Sequence, residues 1–142
     1  MDPTTYLKDR VDEQISWMEG KSRYNQQRYK LLKLLEIVAA AVIPFLAGFY
    51  EVHKSFPIIT GLLGVFIVVL NGLQQLNKYH ENWITYRTTI EALKREKILY
   101  ESTSDPYNDS NAFRKFVQNF EAILANENKV WKANWMQKAE QK

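Results

Sequence analysis

IVAAAVIPFLAGFYEVHKSFPIITGLLGVFIVVL, residues 37–70, decides how the rest of the chain is read. Two apolar runs, 37–50 and 56–70, flank the polar break from Glu51 to Ser55. A helix rises about 1.5 Å per residue, so about 20 residues cross the roughly 30 Å hydrocarbon layer of a bilayer. Extended to Leu31–Tyr50 and Phe56–Leu76, both runs reach that length. The first carries Lys33 and Glu36 as its charges; the second carries none. Helices of a soluble bundle keep a polar stripe, whereas 37–50 and 56–70 are apolar all round. The stretch therefore predicts a tight transmembrane hairpin. The first run begins well inside the chain, after a long polar segment, which separates it from a signal peptide.

Outward from the hairpin the chain turns polar. Its 142 residues suit one domain. The mean hydropathy of −0.39 averages an oily centre with charged flanks. There is no cysteine, which excludes a disulfide framework, thiol catalysis and cysteine–zinc sites. The net charge of +3 comes from interleaved Lys, Arg, Asp and Glu, so no nucleic-acid footprint is present. Of the 19 Lys and Arg residues, Lys54 alone lies between the two runs. The bias of basic residues toward the cytoplasm places both termini there. Phe49, Tyr50 and Phe56 then mark the outer interface, and Tyr24, Tyr29 and Tyr79 the inner one.

The flanks read as helices. Asp2-Pro3-Thr4-Thr5 is a helix start, followed by Leu7, Val11, Ile15 and Met18 on one face; Gly20 is its weak point. After the second span, Leu76, Tyr79, Trp83, Tyr86, Ile90, Leu93, Lys97 and Tyr100 alternate in steps of 3 and 4, a heptad seam. No Gly or Pro interrupts Leu73–Glu101, so the second span is expected to continue as one helix to about residue 102. STSDPYNDSN (102–111) is a break. A last helix opens near Asp109 or Ser110, with Phe113, Val117, Phe120, Leu124, Trp131 and Trp135 as its stripe and Glu127 intruding. The expected fold is an all-α integral membrane protein, a two-helix transmembrane hairpin with long cytoplasmic extensions packed as a helical bundle. It forms a single domain with four helices per chain: an N-terminal cytoplasmic helix (4–30), transmembrane helix 1 (31–50), an outer turn (51–55), transmembrane helix 2 (56–76) with its cytoplasmic continuation (77–102), and a C-terminal helix (109–138).

Two features inside the hairpin point to assembly. Glu36 and Asn71 fall at matched depth, about 21–23 Å from the outer turn at the helical rise. Gly61, Gly64, Val68, Asn71 and Gln75 form a seam that is small at its outer end and polar at its inner end. Small residues let helices approach closely in lipid, and polar ones bond across the contact. Three readings of Glu36 stand side by side: near enough to the headgroups to snorkel, or neutral, or paired with Lys33; hydrogen-bonded to Asn71 between helices; or facing, with Asn71 and Gln75, a water-filled axis shared by several copies. The cytoplasmic seam is likewise either intrachain packing or a subunit contact.

Catalytic chemistry is missing. His53 and His80 lie on opposite sides of the predicted membrane and cannot share a metal. His80-Glu81 lacks a second histidine at helical spacing. There is no phosphate loop and no G-x-S-x-G. Glu91 and Glu96 sit on a charged helix face and read as solvated ion-pair partners. No catalytic residue, metal or cofactor is expected, and the chain does not read as an enzyme.

YLKDRVDEQISW (6–17), EIVAAAVIPFLAG (36–48), ENWITYRTTIEALKREKILY (81–100) and DPY (105–107), closed by Glu127-x-x-x-Trp131, resemble a bacterial branch of unknown function within the SLATT superfamily, the SMODS- and SLOG-associating two-transmembrane effector domains. The carrying string is W-x-x-Y-R-x-x-x-E-x-L-K-x-E. Its members Trp83, Tyr86, Arg87, Glu91, Lys94 and Glu96 are assigned to a cytoplasmic assembly face. The resemblance implies the bacterial inner membrane and an effector that oligomerises into a pore when a cytoplasmic sensor protein detects a nucleotide-derived signal. The implied partners are membrane lipid, further copies of the chain and that sensor. A non-conducting membrane-anchored interaction module is the alternative.

Overall fold

The computed structural model describes residues 2–140, with the side chains of all but Asn134, Trp135, Lys138, Ala139 and Glu140. Among the described residues every regular element is a helix: α1 (Pro3–Tyr6), a π-helical segment (Leu7–Asp12), α2 (Glu13–Gly48), α3 (Phe56–Asn77), α4 (Tyr79–Glu101) and α5 (Ala112–Glu140). Helical conformation runs unbroken from Pro3 to Gly48. The N-terminal helix and the first apolar run are therefore one rod, and Gly20 does not interrupt it. Counted as rods, Pro3–Gly48, Phe56–Glu101 and α5 make three helices where four were expected. The reason is that helix propagation costs little once a turn exists, so a single Gly in a long polar stretch does not stop it.

The second rod does not run evenly to its end. Lys78 adopts left-handed dihedrals, φ 48° and ψ 39°, and splits α3 from α4. Such a conformation costs a non-glycine residue about 1–2 kcal/mol. Local polar groups absorb what the break frees. The Lys78 N–H still reaches Gln74 O at 3.0 Å, and Asn82 N–H resumes the ladder onto Lys78 O at 2.9 Å. The Asn82 side-chain amide donates to Asn77 O at 3.2 Å.

The chain divides into two compact units, Met1–Ser22 with Ile84–Lys142, and Arg23–Trp83. In the first, Val11, Ile15 and Met18 from the N-terminal rod, Tyr86, Ile90 and Leu93 from α4, and Phe116, Phe120 and Leu124 from α5 form one core, joined by Tyr6 and Tyr107. Each helix contributes at steps of 3 or 4, which keeps its side chains on one face. The middle of the expected cytoplasmic seam is thus spent on packing within the chain. Tyr100 stacks on Phe116 at 4.6 Å, and Tyr6 meets Phe113, Phe116 and Phe120 edge-on. Trp135, placed on the α5 stripe by its spacing, lies outside the described side chains.

The loop between α4 and α5 is tightly tied. Thr103, at φ 51°, closes α4: its N–H bonds Tyr100 O at 3.1 Å and the Ser104 N–H bonds Leu99 O at 3.0 Å, the paired pattern that usually recruits glycine. Tyr107 is fully buried; its hydroxyl donates to Glu96 and accepts from Asn119 Nδ2 at 2.8 Å. Asp109 then takes the Asn111 N–H on its side chain, and α5 begins at Ala112.

The second unit holds the two apolar segments. Each has an 18-residue window with mean hydropathy above 2, of which only 6% is buried. On α2 the covered positions include Tyr29, Leu32, Glu36, Ala39, Ile43 and Leu46, and on α3 Leu63, Ile67, Leu70 and Gln74, with Asn71 beside Leu70 at the edge. Apart from Asn71, both series step by 3 and 4. Much of the remaining surface is open: Phe45, Ile58, Leu62, Val65 and Val68 are each more than 60% exposed. Two helices are thus long and apolar enough to cross a membrane.

Candidate functional site

The deep polar residues of the hairpin meet. Asn71 Nδ2 donates to Glu36 Oε1 at 3.0 Å, and Gln74 Nε2 donates to Glu36 Oε2 at 3.2 Å. Lys33 Nζ reaches the same Oε2 at 3.2 Å from one turn earlier on α2. Both carboxylate oxygens therefore have donors from within the hairpin, and the Glu36 side chain is 16% exposed. Helical periodicity makes this possible: Lys33 and Glu36 are three apart on one rod, and Asn71 and Gln74 three apart on the other. A buried carboxylate is tolerated when it is paired and hydrogen-bonded. Of the readings open at the sequence level, this geometry combines the Lys33 pair with the interhelical bond to Asn71.

Gln75 stands apart. It is exposed and lies off the covered face, as do Gly61 and Val68, while Gly64 is half-covered. A Cβ added at Gly61 or Gly64 would meet nothing within 4 Å, so neither glycine supports close packing inside the hairpin. At about 100° per residue this stripe lies roughly 100° around α3 from the face that meets α2. Asn71 borders both. Gln74 was the partner that periodicity left aside; its distance of three residues from Asn71 was the available signal.

The six residues assigned to a cytoplasmic assembly face do not share one surface. Tyr86 is buried. Arg87 and Glu91 pair with each other at 3.2 Å in the open. Lys94 is held by Glu19, and Glu96 receives the Tyr107 hydroxyl. Trp83 lies half-covered, its ring 5.8 Å from that of His80.

The first unit contains a polar network of its own. Arg10 grips Glu121 with two bonds of 3.1 Å, and the Tyr6 hydroxyl donates to Glu121 at 3.0 Å. The guanidinium holds the Glu121 carboxyl below its usual range, against the opposing effect of burial. Burial, aided by Glu121, pushes the Tyr6 phenol up to about 12. Beside this network lies a cleft of about 510 Å³, lined among others by Trp17, Tyr86, Glu127 and Trp131. Glu127 is 8% exposed and accepts the Trp131 indole N–H at 2.8 Å. Burial drives its carboxyl up, more than the indole bond lowers it. In sequence it registered as a charge intruding on an apolar stripe.

No curated relative and no solved structure matches the chain. A family model does, over residues 13–115, reaching from the N-terminal rod through the hairpin and α4 to the start of α5. The chain therefore belongs to the protein family of unknown function described as DUF4231.

Proposed function

We propose that this is a two-pass membrane protein whose hairpins assemble into a homo-oligomeric pore. The observation that carries the reading is the open stripe on α3. Gly61 leaves a shallow surface at its outer end, Val68 stands open at its middle and Gln75 ends it with an amide, while α2 and α3 bury only 6% of their apolar windows. Lone amphipathic stripes at membrane depth find partners in neighbouring helices. A single hairpin cannot enclose an axis, so several copies would place Gln75 and Asn71 around it. Glu36, paired with Lys33, stands behind Asn71, so the inner constriction would be polar and cation-tolerant. The scarcity of basic residues in the turn supports cytoplasmic termini. The SLATT resemblance adds a bacterial inner membrane, a non-enzymatic effector role and a cytoplasmic sensor as trigger. Liposomes containing the purified protein should pass monovalent cations, with cation preference weakened by Glu36→Gln. Silent liposomes that hold verified oligomers would remove the pore reading.

A second reading is a non-conducting anchor that docks a cytoplasmic partner. It draws support from Ile84 and Ile98 on α4 and Met136 on α5, all exposed apolar side chains. It expects membrane insertion, no ion flux, and capture of one defined cytoplasmic protein.

A further inference from the structure

The cleft in the first unit is built from unlike parts. Three aromatic rings stand along it: Tyr86 is set 6.3 Å from Trp17 at an interplanar angle of 82°, and 5.8 Å from Trp131 at 47°. The rings are turned against one another and form walls, not a flat stack. Met18 and Leu124 add apolar lining, and Glu127 presents a carboxylate among them. A volume of about 510 Å³ is in the range that holds a small organic ligand.

The charge balance of this lining is incomplete. Arg10 and Glu121, also in the wall, neutralise each other through their double bond. Glu127 is buried, yet among the described side chains its hydrogen-bond donor is a neutral indole. A buried carboxylate with a neutral partner is a costly arrangement that a cation would relieve. The ring faces favour the same charge, because aromatic quadrupoles attract ammonium groups. Trp17 already holds the Lys21 ammonium 5.7 Å from its ring centroid. An anion is disfavoured by Glu127, and a neutral apolar ligand would leave its charge unanswered.

We propose that this cleft binds a small alkylammonium ligand of the polyamine class, with its ammonium group against Glu127 and its carbon chain between Trp17, Tyr86 and Trp131. Gln14 and Asn128 also line the cleft, and their side-chain amide oxygens can accept hydrogen bonds from further N–H groups of such a ligand. The inference stands independently of the pore, since every residue it uses belongs to the unit outside the apolar hairpin.

The test is calorimetric titration of the full-length protein in mild detergent with putrescine, spermidine and choline, with 1-butanol as the uncharged control. The amines should bind saturably and 1-butanol should not. Glu127→Gln should weaken the amines by about tenfold or more, as a charge-assisted bond is replaced by a neutral one. Trp17→Ala should weaken them roughly three- to thirtyfold by removing one ring. Trp17 is 52% exposed, so this variant keeps the core intact even if Glu127→Gln does not fold. No saturable heat with any amine overturns the proposal. So does an unchanged affinity in either variant.

Discussion

Whether Glu36 is locked to α3 or faces a wet axis can be decided by a double-mutant cycle. The pair is Glu36→Ala and Asn71→Ala, alone and together. Asn71 Nδ2 contributes one bond of 3.0 Å to Glu36 and also lies 3.3 Å from Ile67 O on its own helix. Each single substitution removes that interhelical bond, and the double variant removes it once. Interhelical polar bonds in membranes average about 0.6 kcal/mol and reach about 1.7 kcal/mol. The acceptor here is ionised and 16% exposed, which places the expected coupling in the upper half of that range, about 1–1.7 kcal/mol. Lys33 and Gln74 still answer the carboxylate in Asn71→Ala, so its own loss should stay below about 2 kcal/mol. Unfolding of the hairpin by rising SDS mole fraction in mixed micelles, followed by far-UV circular dichroism, yields the four free energies. Additivity within about 0.3 kcal/mol would mean the two residues do not meet and Glu36 is free for other partners.

Three further outcomes follow from the same geometry. Tyr107→Phe keeps the buried ring but strips a carboxylate and an amide of their shared hydroxyl, and should destabilise by about 1.5–3 kcal/mol; because the chain has no cysteine, thiol labelling of a single Leu93→Cys reports core opening without background, and a change under twofold would refute the bond. Two tyrosines, Tyr6 and Tyr107, are pushed up to about 12, so their native phenols should ionise last in an absorbance titration, and the stability they give below the ordinary value of 10.0 should fade between there and about 12. Two acids of the first unit, Glu121 and Glu127, carry opposite signs. Glu121, held low by Arg10, stabilises above the ordinary carboxylate value and loses this as pH falls, whereas Glu127, held high by burial, contributes most below that value and loses it as pH rises through its raised pKa. Glu127→Gln should therefore flatten the neutral side of the stability–pH curve and Glu121→Gln the acid side; the same flattening from both would contradict these assignments.

Much of the architecture was written in local pattern. Two charge-poor runs of spanning length, the 3–4 steps of Tyr86, Ile90 and Leu93, and the turn-forming 102–111 segment each declare themselves within a few residues, because hydrogen-bonding period and side-chain direction are local properties of a helix. Local pattern also misled. The heptad count ran straight through Lys78, since a left-handed residue leaves the spacing of its neighbours intact. The W-x-x-Y-R string looked like one surface, yet its members divide between the core, an exposed ion pair and the loop anchor at Tyr107.

What the amino-acid order determined by itself is the kind of chain this is: helical throughout its periodic segments, with two runs long and apolar enough to cross a membrane. Tertiary structure alone decided which polar groups meet. Spacing alone matches Glu36 and Asn71 in depth, but the choice of Gln74 over Gln75, and the placing of Glu127 among Trp17, Tyr86 and Trp131, depended on the rotation of one helix against another. That rotation is set by how whole faces pack, which spacing along a single helix does not encode.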